Sequence, residues 1–391
     1  MSELMCHYMP NLIAVSPEQA AQAGEVLNGV DGVEFGFLDQ SSLFELLGGE
    51  AQPTLLQTML TIVAPLRVDG MEAHEVAGIL RDSGVEASPV HGLGSLNHVS
   101  AMPGNEPVLV RVDRKKPWHF PDPYGVVAVV DSGVTSEIPN WLDEGLRFDP
   151  EDVEPTPGSG SASHGTFVAG VIRMIAPNHI VSMARARPNP IAGFLPPLDN
   201  PEAGLPTLTT ELDVLYAIIR LVDRHTGDAV DVLNLSLGGM ACGDKDPTLV
   251  VLSLAIDYWR QHFPRSVIFA AGGNTPETAA IFPAAFNHVR AVAAARPGGA
   301  LVAWDLRTAP PRQPVDIQRR PWITDVAPGV DIIGPSGVDS DPWVQWSGSS
   351  FASAVAAACF AGRRPMQAQN DLVWWRSRAM DYHDVKGLMH K

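Results

Sequence analysis

Four residues of this chain are of the types that carry out nucleophilic acyl chemistry, and each stands in a small-residue setting that suits the task. Ser350 lies in Gly348-Ser349-Ser350-Phe351-Ala352-Ser353, at the start of an apolar helical run that continues to Ala358. A turn there exposes the hydroxyl, and a helix N-terminus favours developing negative charge. The same residues equally suit a plain cap on a buried helix. Asp131 ends the apolar run Val126 to Val130 and is followed by Ser132 and Gly133. A carboxylate at such a strand end can accept from an imidazole and hold its tautomer, although the trio also fits an ordinary turn. His164 sits in Ser163-His164-Gly165-Thr166-Phe167-Val168-Ala169-Gly170, after the flexible approach Gly158 to Ser161. Histidine is the usual general base and is also common at helix ends. Asn274 follows Ala270-Ala271-Gly272-Gly273. Its amide could donate to an oxyanion, with Gly272 letting substrate backbone approach, or it could simply occupy a turn. Beside these, Asn234-Leu235 leads into Ser236, Leu237, Gly238 and Gly239, a strand end along which an extended peptide could add.

The elements that must position these residues read as alternating strands and helices. The predicted strands are Val126 to Val130, Ile180 to Ala184, Val232 to Leu235, Val267 to Ala271 and Ala291 to Ala295. The predicted helices are Thr166 to Ile175, Glu211 to Arg224, with Thr210 as its N-cap, and Leu249 to His262. This is the pattern of a largely parallel α/β sheet, in which functional groups gather outside the carboxyl ends of strands.

Asp131, His164, Asn274 and Ser350, in that order, resemble the site of the subtilisin-like serine peptidases, the subtilase family. Val129-Val130-Asp131-Ser132-Gly133 resembles the family's aspartate motif, and Gly348-Ser349-Ser350-Phe351-Ala352 its serine motif. His164 to Gly170 is very similar to its histidine motif and is the most specific of the signals. Ser236 to Gly239 resembles the strand that pairs with substrate, and Val326 to Ile332 a further family segment. The likeness covers about Pro123 to Gly362. It implies a subtilisin-like, largely parallel sheet with helices on both faces, and a serine endopeptidase acting through an acyl-enzyme. By resemblance Ser350 is the nucleophile, His164 the base and Asp131 its orienting partner. Asn274 and the Ser350 backbone N–H hold the oxyanion, and Gly272 with Ser236 to Gly239 binds substrate. The chain departs from the family pattern at Ser349, where threonine is usual, at Ala354, where proline is usual, and in the glycine pair before Asn274. Two other readings share these residues: a catalytically silent subtilase-like protein that holds peptides in its cleft, and an esterase or transacylase.

Composition narrows the partners. The formal net charge of −17 argues against nucleic acid and anionic membranes as partners; a peptide or protein substrate is what the resemblance implies. The three cysteines, Cys6, Cys242 and Cys359, are too scattered for a disulfide framework or a zinc site. No cofactor is expected, and no clear loop of clustered oxygen ligands marks a calcium site. The N-terminus lacks a basic stretch followed by a long apolar one, which by default predicts a cytoplasmic protein.

The first part of the chain reads as a separate small α+β domain, residues 1–115, ahead of a peptidase domain at 116–365 and a tail at 366–391 that carries Trp374 and Trp375. Its predicted elements are a strand at Leu12 to Val15, a helix begun by Ser16 and Pro17, a helix at Glu72 to Leu80 and a strand at Val85 to Val90. His74 and His91 are expected to be surface residues. The stretch from Val68 to Pro89 loosely resembles the end of a subtilase propeptide, so the domain is expected to act as an intramolecular inhibitor. A proline-rich connection runs from Pro103 to Pro123, and self-cleavage is expected near its basic residues, Arg111 to Lys116. The competing expectation is a permanent recognition domain. Proline-rich loops are expected at Pro188 to Pro206 and Pro310 to Pro321.

Overall fold

The computed structural model describes residues 8–95, 108–110, 125–136, 138–153, 160–186, 208–240, 249–274, 280–295, 303–304, 314–315, 320–335 and 343–362. The chain divides into two compact units. The first is drawn from residues 1–94, 186–226 and 239–264, the second from residues 95–185, 227–238 and 265–391. The Arg111 to Lys116 segment, the loop from Pro188 to Pro206, most of Pro310 to Pro321 and the tail from Arg363 lie outside the described residues.

The chain opens with β1 (Tyr8–Val15), α1 (Ala20–Leu27), β2 (Glu34–Phe37), α2 (Gln40–Leu46), α3 (Pro53–Ile62), β3 (Ala64–Asp69), α4 (Ala73–Asp82) and β4 (Ala87–Ser95). It continues through β5 (Val108–Val110), β6 (Gly125–Asp131), α5 (Asn140–Asp143), β7 (Leu146–Arg147), α6 (Gly160–Ile175) and β8 (His179–Arg185). Next come β9 (Leu208–Thr210), α7 (Glu211–Arg224), β10 (Val232–Leu235), β11 (Leu237–Met240), α8 (Val250–His262), β12 (Val267–Ala271), β13 (Ile281–Phe282) and β14 (Val289–Ala295). The last described elements are β15 (Ala303–Trp304), β16 (Pro314–Val315), β17 (Asp325–Pro328), β18 (Ile332–Pro335), β19 (Trp343–Trp346) and α9 (Ser349–Ala361).

In the first unit β1 pairs antiparallel with β3 and with β4, β2 extends the sheet beyond β3, and β4 pairs antiparallel with β9. Period-two alternation turns Ile13, Val15, Leu66 and Val68 toward one face. There they meet Ala23 and Leu27 of α1 and Val76, Ala77 and Leu80 of α4 in one buried cluster. The apolar positions of α4, Ala73, Val76, Ala77 and Leu80, fall at i, i+3, i+4 and i+7 and so form a single stripe. A second group of helices in this unit joins α3 to α7 and α7 to α8. Thr210 caps α7 as expected: its hydroxyl accepts from Asp213 N while the Asp213 carboxylate accepts from Thr210 N.

In the second unit a sheet runs in the order β17, β14, β12, β10, β6, β8, β7 with each neighbouring pair parallel. Both faces of its central strands are buried, which is why β6 reads Val-Val-Ala-Val-Val without alternation. Helices α6 and α9 pack on one another and on this sheet. Phe167, Val168 and Ile172 of α6 share a core with Phe351 and Val355 of α9 and with Val127, Val129 and Phe269 of the strands. A small antiparallel sheet of β18, β19 and β5 completes the unit.

The fold is mixed α/β with a large parallel sheet flanked by helices, as expected, and the predicted strands and helices of the peptidase part are all present. Several details differ. Helix α6 begins at Gly160, so His164 lies inside the helix instead of just before it. Ser16 gives no side-chain cap; Pro17 starts a 3₁₀ turn, and α1 follows it. Strand β4 runs on to Ser95, and the pair α2 and α3 was not expected. His91 is not a surface residue. It is fully buried, and its Nδ1 lies 2.9 Å from the Glu211 carboxylate. No helix among the described residues is long and apolar enough to cross a membrane.

Candidate active site

The site is built at the carboxyl ends of the strands of the second unit. Asp131 is the last residue of β6. Its Oδ1 accepts from Ser132 N at 2.7 Å and lies 2.7 Å from His164 Nδ1. The aspartate turn and α6 are knitted together by three further contacts. Gly165 N donates to Ser132 Oγ, Thr135 N donates to Thr166 Oγ1, and Gly165 itself lies against Gly133. A Cβ on Gly165 would come within 2.0 Å of the Gly133 carbonyl, so only glycine allows the histidine this close to the aspartate strand. The imidazole rests on aromatic rings, with centroids 5.6 Å from Trp346 and 5.3 Å from Phe351. Its Nε2 is buried and has no hydrogen-bond partner. With Nδ1 engaged by a carboxylate, the neutral ring carries its proton on Nδ1 and presents a free lone pair at Nε2.

Ser350 lies in the first turn of α9, where backbone N–H groups have no intrahelical acceptor. Gly348 precedes it in extended conformation and donates to Gly329 O at 2.7 Å. That contact seats the serine motif directly on the segment containing Val326 to Ile332. A Cβ on Gly329 would meet Gly348 O at 2.6 Å. The Ser350 hydroxyl donates to Ser236 O at 3.2 Å. This is long for an O–H···O bond and therefore weak.

Asn274 follows β12. Its Oδ1 accepts from Ser349 N at 2.7 Å, which fixes the amide orientation and leaves Nδ2 buried with no partner. The two glycines before it have separate tasks. Gly272 N donates to Val292 O, and a Cβ there would strike Ile323 at 2.4 Å. Gly273, at φ +99°, donates its N–H to Ser349 Oγ. Serine in place of the usual threonine at 349 thus keeps a hydroxyl that ties the asparagine loop to α9.

Ser236, Leu237 and Gly238 are buried in the second unit, and Ser236 bonds to Ser350 through both its hydroxyl and its carbonyl. Gly239 belongs to the first unit. There it lies against β4, where a Cβ would meet Leu93 at 2.7 Å and Gly92 O at 3.2 Å. Gly92 to Gly94 pair on their other side with Thr210 to Leu208. Asp131, His164, Asn274 and Ser350 are all buried, with exposures of 3% or less. Among the described residues no group of three or more histidine, cysteine, aspartate or glutamate side chains is placed to hold a metal ion.

A second set of polar residues beneath the nucleophile, Asn234 and Ser353, was not expected from the sequence. Their partners lie 114 to 119 positions apart or on the far side of a strand end, so no local spacing reveals them.

Comparison with known proteins gives the same picture. The chain is 30% identical over 240 residues to a thermophilic serine proteinase of Bacillus sp. (strain AK1), covering 60% of this chain and 51% of that one. It is 29% identical over 188 residues to thermitase of Thermoactinomyces vulgaris, covering 47% of this chain and 60% of that one. It therefore spans between half and three fifths of these relatives. Among solved structures it is similar in fold to fervidolysin from Fervidobacterium pennivorans, a keratinolytic enzyme related to subtilisin, with a TM-score of 0.53 and 16% identity over 90% of this chain and 54% of that one. The subtilase family model matches residues 125–389, and with a match over well more than half of its length the chain belongs to the subtilase family.

Proposed function

We propose that this protein is a serine endopeptidase that cleaves peptide bonds through an acyl-enzyme. The observation that carries the reading is the His164–Asp131 contact of 2.7 Å with the opposite ring nitrogen buried and without a hydrogen-bond partner, in a unit that also sets Ser350 in the first turn of a helix. Ser350 Oγ exchanges its weak bond to Ser236 O for His164 Nε2 and attacks the substrate carbonyl carbon as Nε2 takes its proton. Asp131 holds the ring orientation and stabilises the imidazolium. The carbonyl oxygen becomes an anion held by the Ser350 N–H and by Asn274 Nδ2, the amide group that the structure leaves without a partner. Collapse expels the amine, which takes the proton from His164, and water then repeats the sequence to release the acid. A fluorophosphonate probe tests this. It should label Ser350 in the native chain, and Ser350→Ala should abolish both labelling and peptide turnover in a protein that still folds. A native chain that neither labels nor cleaves would favour the silent peptide-binding reading.

The first part of the chain is an intramolecular inhibitor in this reading. Gly92 to Gly94 already run as a strand beside Gly239, the end of the segment expected to pair with substrate, and an extended segment there competes with substrate for the same backbone groups. Val108–Val110 pairs with β19 inside the second unit. A self-cleavage that parts the inhibitor without removing a strand therefore falls between Ser95 and Val108, ahead of the basic residues. Mass spectrometry of the native chain beside Ser350→Ala should show an N-terminal fragment of about that length only where Ser350 is present. An intact native chain that cleaves short peptides freely would favour a permanent recognition domain.

A further inference from the structure

Beneath the nucleophile lies a chain of buried hydrogen bonds that the proposed reaction has not yet used. Ser353 Oγ donates to Asn234 Oδ1 at 2.7 Å, Asn234 Nδ2 donates to Ser236 Oγ at 2.8 Å, and Ser236 Oγ donates to Ser350 O at 2.8 Å. The Ser350 hydroxyl closes the loop by donating to Ser236 O at 3.2 Å. All four residues are fully buried. Ser350 and Ser353 are three positions apart and share one face of α9, so the chain leaves the helix at one end of a turn and returns at the other. Asn234 lies in β10, whose backbone is held on both sides by β6 and β12.

We propose that Asn234 and Ser353 are positioning residues for the nucleophile, acting through Ser236; the inference rests on the peptidase reading above. Direction is the key property. The Ser353 hydroxyl points its hydrogen at Asn234 Oδ1, which turns the Asn234 amide so that Nδ2 faces Ser236. The Ser236 hydroxyl receives that donor and must send its own hydrogen to Ser350 O. Each bond fixes the sense of the next, and bonds in such a series reinforce one another. The result places two atoms that bear on the chemistry. Ser350 O is held, which sets the pitch of the first turn of α9 and with it the Cα–Cβ direction of the nucleophile and the aim of its N–H. Ser236 O is placed at the edge of hydrogen-bond range, close enough to keep the nucleophile's hydroxyl from wandering and too far to hold it against His164.

This arrangement also bears on an oddity of the sequence. Ala354 stands where the family usually has proline. Proline near a helix start stiffens it by fixing φ, and alanine gives up that restraint immediately after Ser353. The side-chain ladder supplies a restraint from the strand side at the same turn.

The test uses the full chain and compares Ser353→Ala, Ser353→Thr and Asn234→Asp with the native protein. It reads fluorophosphonate labelling rate, kcat and KM on a short peptide, the pH dependence of kcat/KM and the thermal midpoint. Ser353→Ala removes the first donor and should lower labelling rate and kcat together, by about tenfold, since a modest misplacement of a reacting group has effects of this order or more. KM should stay within about twofold, because Ser353→Ala leaves the backbone of Ser236 to Gly239, where substrate is expected to pair, in its strand, and the pH profile should keep its shape because His164 and Asp131 are not in the ladder. Ser353→Thr keeps the hydroxyl and should recover most of the loss. Asn234→Asp keeps the shape but removes the donor to Ser236, so it should fall by a similar factor even if Ser353→Ala does not fold. A folded Ser353→Ala variant that labels as fast as the native chain overturns the inference. So does a threonine variant as slow as alanine with an equal drop in thermal midpoint, the pattern of a purely structural bond. Failure of the native chain to label sinks the peptidase reading, a result distinct from both.

Discussion

His164 with Asp131 in the second unit and His91 with Glu211 in the first make the same contact, Nδ1 to a carboxylate oxygen, at 2.7 Å and 2.9 Å with both partners buried. The surroundings differ. Glu211 spends its remaining capacity on backbone: Oε1 also accepts from His91 N at 2.8 Å, and Oε2 accepts from Leu252 N at 2.9 Å. It binds β4 to the start of α8 from the first residue of α7, and its negative charge sits at two helix N-termini, where it is favoured. Asp131 keeps Oδ2 without a hydrogen-bond partner, as do Nε2 of His164 and Nδ2 of Asn274. A histidine–carboxylate contact is therefore no mark of catalysis by itself. What distinguishes the second unit is that the open His164 Nε2 and Asn274 Nδ2 belong to the same group of strand ends and helix start as Ser350, and a buried polar group left open costs stability unless a substrate or transition state meets it.

That contrast can be broken from either side. On the proposed mechanism Asp131→Asn should lower kcat by about 10⁴-fold, because the amide stabilises the wrong imidazole tautomer. Folding should survive, as the asparagine can still meet Ser132 N. Asn274→Leu should lower kcat by about 10²–10³-fold with little change in KM; an effect on KM alone would move Asn274 from the oxyanion to the binding of substrate. Glu211→Gln is the matching change in the first unit. It turns one acceptor into a donor facing Leu252 N and should cost about 1–3 kcal/mol of stability, read from the denaturation midpoint. Turnover of a short peptide should not fall. A large loss of kcat in Glu211→Gln would erase the distinction between the two pairs.

The same contrast explains what could be seen in the sequence. Asp131, His164, Asn274 and Ser350 each carry a local signature: an apolar strand ending in a carboxylate, small residues around a helix start, glycines before an amide. The parallel strands were legible because their burial on both faces makes continuous apolar runs, as in Val126 to Val130. His91 was not, because nothing near it is polar enough to be its partner; Glu211 is 120 positions away. Gly92 to Gly94 lie beyond the expected strand Val85 to Val90, because glycine is a poor strand former in isolation and the pairing with Leu208 to Thr210 has no local sign. Helices α2 and α3 are short, and their apolar residues Leu43, Leu55, Leu56 and Met59 gain their meaning from being buried in the first unit. Asn234 and Ser353 were invisible for the reason that hid His91.

The smallest effect concerns a carboxylate that has no histidine at all. Asp39 caps α2, its Oδ1 accepting from Ser42 N at 2.8 Å. Hydrogen bonding from the Ser42 backbone, and next from its side chain, holds the Asp39 carboxyl below its ordinary value. A carboxyl depressed in the folded state stabilises that state at pH above its unfolded value, about 3.9, and loses the contribution as pH falls through the folded value. The group is exposed, so the effect is modest and weakens with salt. The thermal midpoint of Asp39→Ala should lie below that of the native chain at pH 6, and the gap should narrow steadily as the pH is taken toward 3. A gap that stays constant would mean that the cap acts through local shape and not through charge. It would then set Asp39 beside Asp131 and Glu211 in geometry alone, since in all three a carboxyl oxygen accepts from a backbone N–H.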